Sequence, residues 1–338
     1  MDITLLLGAG ASADFDIPVM KQITEEFYRE FPDFNEYLDN MIGDLSKTGF
    51  PLHVENYLSY ARGQLNPINT ILKCSPFISY FVSKIDDENR GYNKNAGNII
   101  YKIEEYISYR YNLNAIYVES AIERYGLLFN ILKNKYSEGV DDWDVDIFTT
   151  NYDNVIEYYA TETGVDTCIG YNIASDYTMT YNPRLFNARK CIKLHKLHGS
   201  VTYGLSQNIE NGNIMTVYSL DGFNIGDEYP AGHKVIERVM INGWEKDPSI
   251  EPFFDHLNHL KNSLSVKNNV LVIGFSFQDP PILNVFKDVL KTKGAEFKVY
   301  IMGKSSEVIK EELFNDDDRI IPIKKRFKKC NELMEDLK

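Results

Sequence analysis

The feature that most constrains this chain is a set of short, almost purely apolar runs spread from one end to the other. The first, Ile3 to Leu7, stops at Gly8. Similar runs recur at Val145-Asp146-Ile147-Phe148, at Val270-Leu271-Val272-Ile273 and at Phe297-Lys298-Val299-Tyr300-Ile301-Met302. Apolar runs without polar alternation suit strands buried on both faces, the condition of a parallel sheet covered by helices. Ile320-Ile321-Pro322-Ile323 reads as a last strand at an edge, because its proline cannot donate to a central ladder. Helical sequence follows several of these runs. Between Pro281 and Leu290 the apolar residues are Ile282, Leu283, Val285, Phe286, Val289 and Leu290, and Ser305 or Ser306 can cap a helix through Phe314. Strand followed by helix, repeated, predicts an α/β fold with a doubly wound parallel sheet.

Two stretches break that rhythm. Residues 20–142 lack a clear buried strand and read as a large α-helical insertion, with 98–135 helical in pattern. Residues 201–247 space glycines between short β-like runs and read as an irregular hairpin or lid region. A chain of 338 residues can bury one large α/β core that carries such an insert.

The 36 basic residues face 49 acidic ones, a net charge of −13. Such a surface repels phosphate backbones unless its cations cluster, so direct nucleic-acid binding is disfavoured. The one basic run, Lys324-Lys325-Arg326-Phe327-Lys328-Lys329, reads first as a solvated face. Cys74, Cys168, Cys191 and Cys330 form no C-x-x-C pair and no secreted disulfide framework, so no structural zinc is expected. The absence of a leader pattern and of a spanning apolar run predicts a cytoplasmic protein without membrane contact.

Four constellations carry candidate chemistry. In Leu5-Leu6-Leu7-Gly8-Ala9-Gly10-Ala11-Ser12-Ala13 a buried strand runs into G-x-G and then helix-forming sequence. A helix N-terminus there could hold a pyrophosphate, although Ala13 replaces the third glycine, and a plain strand-to-helix turn is the competing reading. Ile147-Phe148-Thr149-Thr150-Asn151-Tyr152-Asp153 ends a strand in polar groups, where open α/β sheets bind ligands. Taken alone, helix capping is the stronger reading of this motif. In Ile192-Lys193-Leu194-His195-Lys196-Leu197-His198-Gly199 the alternation turns Lys193, His195 and Leu197 one way and Ile192, Leu194 and Lys196 the other. His198 falls at the strand end beside Gly199, where a catalytic base and a structural histidine are both open readings, and His195 reads as structural. Ile273-Gly274-Phe275-Ser276-Phe277-Gln278-Asp279 is a further strand end, either a cofactor wall or a simple turn.

In identity and order, G-A-G-A-S, T-N-Y-D, L-H-G-S and G-F-S-F with its following Asp resemble the sirtuin superfamily. The version here resembles the sirtuin-like domains of bacterial anti-phage defence systems. The resemblance implies a single Rossmann-like domain over 1–338, with NAD as substrate and no metal. It implies that Gly8, Ala9, Gly10, Ala11 and Ser12 hold the NAD phosphates, that Asp16 lies in the cofactor loop, and that Asn151 and Asp153 line the nicotinamide–ribose pocket. It makes His198 the catalytic base with Asn151 beside it, puts Gly274 and Ser276 on the phosphate and ribose side, and places Gly303 at the adenosine ribose. Deacylating sirtuins carry four zinc-binding cysteines after the histidine, whereas residues 199–270 here contain none. That departure favours an NAD hydrolase over an NAD-dependent protein deacylase. A non-catalytic NAD sensor and a nuclease are the further alternatives. The same resemblance implies a homo-oligomer with a partner such as a HerA-like ATPase or an Argonaute.

Overall fold

The structure is a computed structural model that describes residues 2–47, 52, 54–65, 90–136, 145–175, 177–209, 214–222, 228–229, 232–237, 240–241, 252–333 and 337. The remaining parts of the 20–142 and 201–247 stretches lie outside the described residues. The chain divides into two compact units. One comprises Met1–Pro18, Tyr111–Met240 and Asp247–Lys338, the other Val19–Arg110 with Ile241–Lys246.

The first unit is built on a seven-stranded sheet in which every pairing is parallel. Its strands are β1 (Thr4–Leu7), β2 (Val145–Thr149), β3 (Thr167–Cys168), β6 (Ile192–Lys196), β13 (Asn269–Ile273), β14 (Lys298–Met302) and β15 (Ile320–Ile323), in the order β15-β14-β13-β1-β2-β6-β3. Successive crossovers lead outward from β1 through β2 and β6, and outward on its other side through β13, β14 and β15. The switch point of this doubly wound α/β sheet therefore falls between β1 and β13. β15, with Pro322, takes an edge, for the reason given from its sequence.

Helices cover both faces, which is why the strands are apolar without alternation. On one face Leu6, Phe148, Val272 and Ile301 pack against α7 (Phe253–Val266), α8 (Pro280–Thr292) and α9 (Ser306–Phe314) through Leu260, Leu264, Phe286 and Ile309. Asp279 caps α8, its Oδ1 accepting from the Ile282 amide at 3.2 Å, and Pro280 and Pro281 occupy the first turn, where no amide is needed. On the other face lie α5 (Val118–Tyr136) and α6 (Val155–Thr163), joined by Phe129 and Tyr159 rings 5.2 Å apart.

The stretch 98–135 is not one helix. α4 (Arg90–Tyr111) ends and α5 begins after a turn in which Asn114 Oδ1 accepts from the Ile116 amide at 3.0 Å. The Leu113 amide donates to Asn154 Oδ1 at 2.8 Å, so the break is made by asparagine side chains that replace helical bonds.

A second, antiparallel sheet of the same unit runs β10 (Glu228–Tyr229), β11 (His233–Glu237), β8 (Tyr203–Asn208), β9 (Ile214–Tyr218), β5 (Thr178–Tyr181) and β4 (Tyr171–Ile173). Four of these strands, β8 to β11, come from the glycine-spaced 201–247 region, and they bury Tyr203, Val217 and Val235. The run 324–329 is paired with acids, Lys324 with Glu307 at 2.6 Å and Lys329 with Glu332 at 3.3 Å. No helix among the described residues is long and apolar enough to cross a membrane.

The second unit is helical: α1 (Met20–Glu30), α2 (Asn35–Ser46), α3 (Val54–Leu65) and α4 as far as Arg110. Glu26 of α1 accepts from Arg110 Nε at 2.9 Å and from the Tyr106 hydroxyl at 3.0 Å, beside the packed rings of Phe27, Phe31 and Tyr106.

His195 of β6 is buried between Phe148 and Phe186, with ring centroids 4.4 and 4.0 Å away, and its Nδ1 lies 3.3 Å from His256 Nδ1 on α7. Burial and the neighbouring histidines hold His195 well below the usual imidazole range, burial takes His256 down to about 3, and His259 is lowered too, mainly by burial. All three are depressed in the folded state, so the unfolded chain takes up their protons first. Their contribution to stability is present above about pH 6.5 and is lost as pH falls, at up to about 1.4 kcal/mol per pH unit for each linked proton. Denaturant titrations between about pH 6.5 and 4.5 should show His256→Leu losing stability more gradually than the parent chain. Parallel slopes would contradict this account.

Candidate functional site

Beyond the carboxyl ends of the strands, the ladder continues into the loops as a row of backbone hydrogen bonds. Gly303 N donates to Ile323 O at 3.0 Å, Gly274 N to Met302 O at 2.9 Å and Gly8 N to Ile273 O at 2.9 Å. Thr150 N donates to Leu7 O at 3.1 Å and Leu197 N to Thr149 O at 2.8 Å. Each loop is thus tied to its neighbour, and the loops bearing Gly303, Gly274, Gly8, Asn151 and His198 share one edge of one sheet. That edge is where open α/β sheets carry their ligands.

The segment after β1 departs from the sequence expectation. No α-helix starts at Gly10 or Ser12. The chain makes two 3-10 turns, Ala9–Ala11 and Ala13–Phe15, and reaches Asp16 at φ 59°. Pro18 accounts for the delay, because it disfavours helical geometry at Ile17, and α1 begins only at Met20. The glycines also have a use that involves no ligand. A Cβ on Gly8 would come within 2.6 Å of Gly274 O, and one on Gly10 within 2.7 Å of Gly274 Cα, while Gly274 itself sits at φ 64°. Gly10 N donates to Gly274 O at 3.0 Å. The close approach permitted by these glycines is of one backbone to another, across the switch point.

Asn151, half-buried, is locked onto this loop. Its Nδ2 donates to Gly8 O at 3.0 Å and to Ser12 Oγ at 3.1 Å, and Ser12 is itself buried. The side-chain oxygen is thereby left directed away from these two acceptors. Two residues on, Asp153 Oδ1 accepts from the Val155 amide at 3.2 Å, so the residue shares in starting α6. Its Oδ2 is buried without a hydrogen-bond partner among the described residues. Burial raises the Asp153 carboxyl above its ordinary value, with Lys196 the foremost opposing influence.

His198, partly buried, lies between β6 and β7 (Gly199–Ser200), and its Nε2 is 2.9 Å from Asp279 Oδ2. One carboxylate therefore caps α8 with one oxygen and orients an imidazole with the other. The Tyr152 ring lies 6.4 Å from that of His198. The structure joins Gly8, Ser12 and Asn151 by hydrogen bonds and brings Gly10 against Gly274. Ser276 and Asp16 are exposed, and Gly303 lies beyond β13 from the rest. Ala9 and Ala11 are held in the first turn.

Two residues escaped the sequence reading. Asp279 was visible only as a residue leading into Pro280-Pro281; its partnership with His198 spans 81 positions in sequence. Lys196 is 2% exposed, its ammonium bonded to the Asp153 carbonyl and 3.0 Å from the Glu157 carboxylate. A lysine alternating with Ile192 and Leu194 on one strand face was the signal. No group of three or more His, Cys, Asp or Glu among the described residues could hold a metal ion.

The SIR2-like domain family matches residues 145–323, just over half of the 338-residue chain. No curated protein matches it. A crystal structure of a Sir2 homologue–NAD complex is similar at 12% identity, over 98% of this chain and 88% of that one, with a TM-score of 0.47. A Sir2 structure bound to a propionylated peptide is similar at 14% identity, over 98% and 92%, with a TM-score of 0.39.

The backbone contact at the switch point gives a direct expectation. Gly10→Ala should lower stability by about 1–3 kcal/mol, the usual cost of overpacking. Gly274→Ala should cost more, because it adds a left-handed φ to the collision. Thermal melts showing either variant as stable as the parent would overturn the contact.

Proposed function

The chain belongs to the SIR2-like domain family, and from that premise we propose that it hydrolyses NAD to nicotinamide and ADP-ribose. We further propose that it serves as an NAD-depleting effector of bacterial anti-phage defence. The observation that carries the reading is the pair of anchored side chains on one sheet edge: Asn151 fixed on Gly8 and Ser12, and His198 fixed on Asp279. A hydrolase needs a polar group to position water and ribose, and a base within reach, each held in one orientation. The chain supplies both.

In this reaction the bond between the ribose C1′ and the nicotinamide nitrogen breaks, its electron pair leaving with nicotinamide. The water oxygen forms the new bond to C1′, and His198 accepts the proton released from the water or a ribose hydroxyl. Asp279, 2.9 Å from Nε2, holds the imidazole in one orientation and favours one tautomer. Asp153, a buried carboxyl on the Ser12 side of the turn, fits as an acceptor for an amide or a ribose hydroxyl. The Gly8–Ser12 turns fit a phosphate less directly than a helix N-terminus would, because Gly8 and Gly10 already face backbone. Deacylation is the alternative, and the cysteine-free interval after His198 weighs against it.

His198→Ala and Asn151→Ala should each reduce nicotinamide release by about 10²–10⁴-fold, within the range for such groups. Asp279→Asn keeps the helix cap and should give a smaller loss. Chromatography of NAD digests would decide, and NAD consumption only in proportion to an acylated peptide would replace hydrolase with deacylase.

A free NAD hydrolase threatens its own cell, so we infer gating through a homo-oligomer and a partner such as a HerA-like ATPase or an Argonaute. Light scattering should show the isolated protein as larger than a monomer; a monomer at micromolar concentration with full hydrolysis rate would dispose of the gate.

A further inference from the structure

Lys196 and His198 lie two residues apart on the same strand end, yet the function proposed above makes no use of the lysine. Its side chain, on the strand face opposite His195, reaches the Asp153 carbonyl and the Glu157 carboxylate. All three residues are almost fully buried. A buried ion pair seldom adds net stability over well-packed apolar residues of equal volume, because desolvation offsets the attraction. A cation kept at such a cost suggests a purpose other than folding. The backbone it holds belongs to the turn that presents Asn151 and Asp153, and the strand from which it reaches presents His198.

The geometry points to Lys196 as a positioning residue. It ties the Asn151–Asp153 turn to the strand that carries His198 and provides the counter-charge for the Asp153 carboxylate. This rests on the NAD-hydrolase reading for its chemical consequence. The groups facing the pair are Ser12 from the loop after β1, Tyr125 of α5, Glu157 of α6, and Tyr203 and Tyr218 of β8 and β9. Lys196 is the cation that opposes burial at both carboxyls. Glu157 neutralises the lysine within the fold, while Asp153 faces the Ser12 side.

Three variants separate positioning from folding. Lys196→Met leaves two buried carboxylates without a cation. Its melting temperature should fall further below the parent's at about pH 8 than at about pH 5, where protonation relieves both carboxyls. Lys196→Met combined with Glu157→Gln removes both charges of the ion pair and should recover most of that melting temperature. If Lys196 positions the turn, the double variant should still show kcat for nicotinamide release reduced roughly tenfold to a hundredfold, with KM changed far less. The acid limb of its kcat/KM profile should move to higher pH, because Asp153 has lost its counter-charge. Lys196→Arg, which keeps the charge, should retain most of the turnover. A double variant that regains parental kcat along with its melting temperature would reduce Lys196 to a structural role and overturn the inference. The parent is assayed alongside. If it releases no nicotinamide, the hydrolase reading fails by itself, and the melts then decide about Lys196, since equal losses at both pH values would reject the buried cation cluster.

Discussion

The hydrogen bond from Gly10 N to Gly274 O, with the three glycines that allow it, is the constraint on which the candidate site depends. At the switch point of a doubly wound sheet, the loops leaving neighbouring strands normally diverge and open a crevice. Here the loops after β1 and β13 instead touch backbone to backbone. That contact fixes the Gly8 carbonyl and the Ser12 hydroxyl, and those two acceptors fix Asn151. From Asn151 the turn continues into Asp153, and the parallel ladder hands the same edge on to His198. A side chain at any of the three glycines would disturb the alignment of groups well outside its own loop.

Strand β6, between β2 and the edge strand β3, divides its charges between two faces. His195 points into a layer of Phe148, Phe186, His256 and His259, where burial keeps the imidazoles neutral. One residue later, Lys196 points to the other face, where Glu157 and the Asp153 carbonyl accept its charge. Both arrangements follow the same rule, that a buried ionisable group is either neutral or paired. Their pH responses are opposite in sign. The histidines withdraw stability as pH falls, whereas the carboxyls of Asp153 and Glu157, raised by burial, favour the folded state when protonated.

Much of the architecture was legible along the chain because a strand buried on both faces needs apolar residues at every position. The runs at Leu5, Ile147, Val270 and Val299 therefore announced themselves, and Pro322 marked an edge. The alternation around His195 also separated the structural histidine from the one at the strand end. Local pattern was misleading where a short-range preference met a longer-range tie. The residues after Gly10 have helix-forming composition, but Pro18 and the bond to Gly274 impose two tight turns instead. The helical pattern of 98–135 continues through Asn112 and Asn114, yet the Leu113 amide is claimed by Asn154, so the helix breaks.

The sequence by itself determined the class of sheet and the order of the motifs along its edge, because burial and the ends of strands are written in consecutive residues. It also determined which side chains could do acid–base or hydrogen-bonding work there. Only the tertiary structure decided how those side chains are partnered. Asp279 reaches His198 from a different strand loop, Gly274 meets Gly10 across most of the chain's length, and Lys196 finds Glu157 on a neighbouring helix. Such pairings depend on the winding order of the strands and on side-chain directions at their ends, and neither leaves a periodic trace in the sequence.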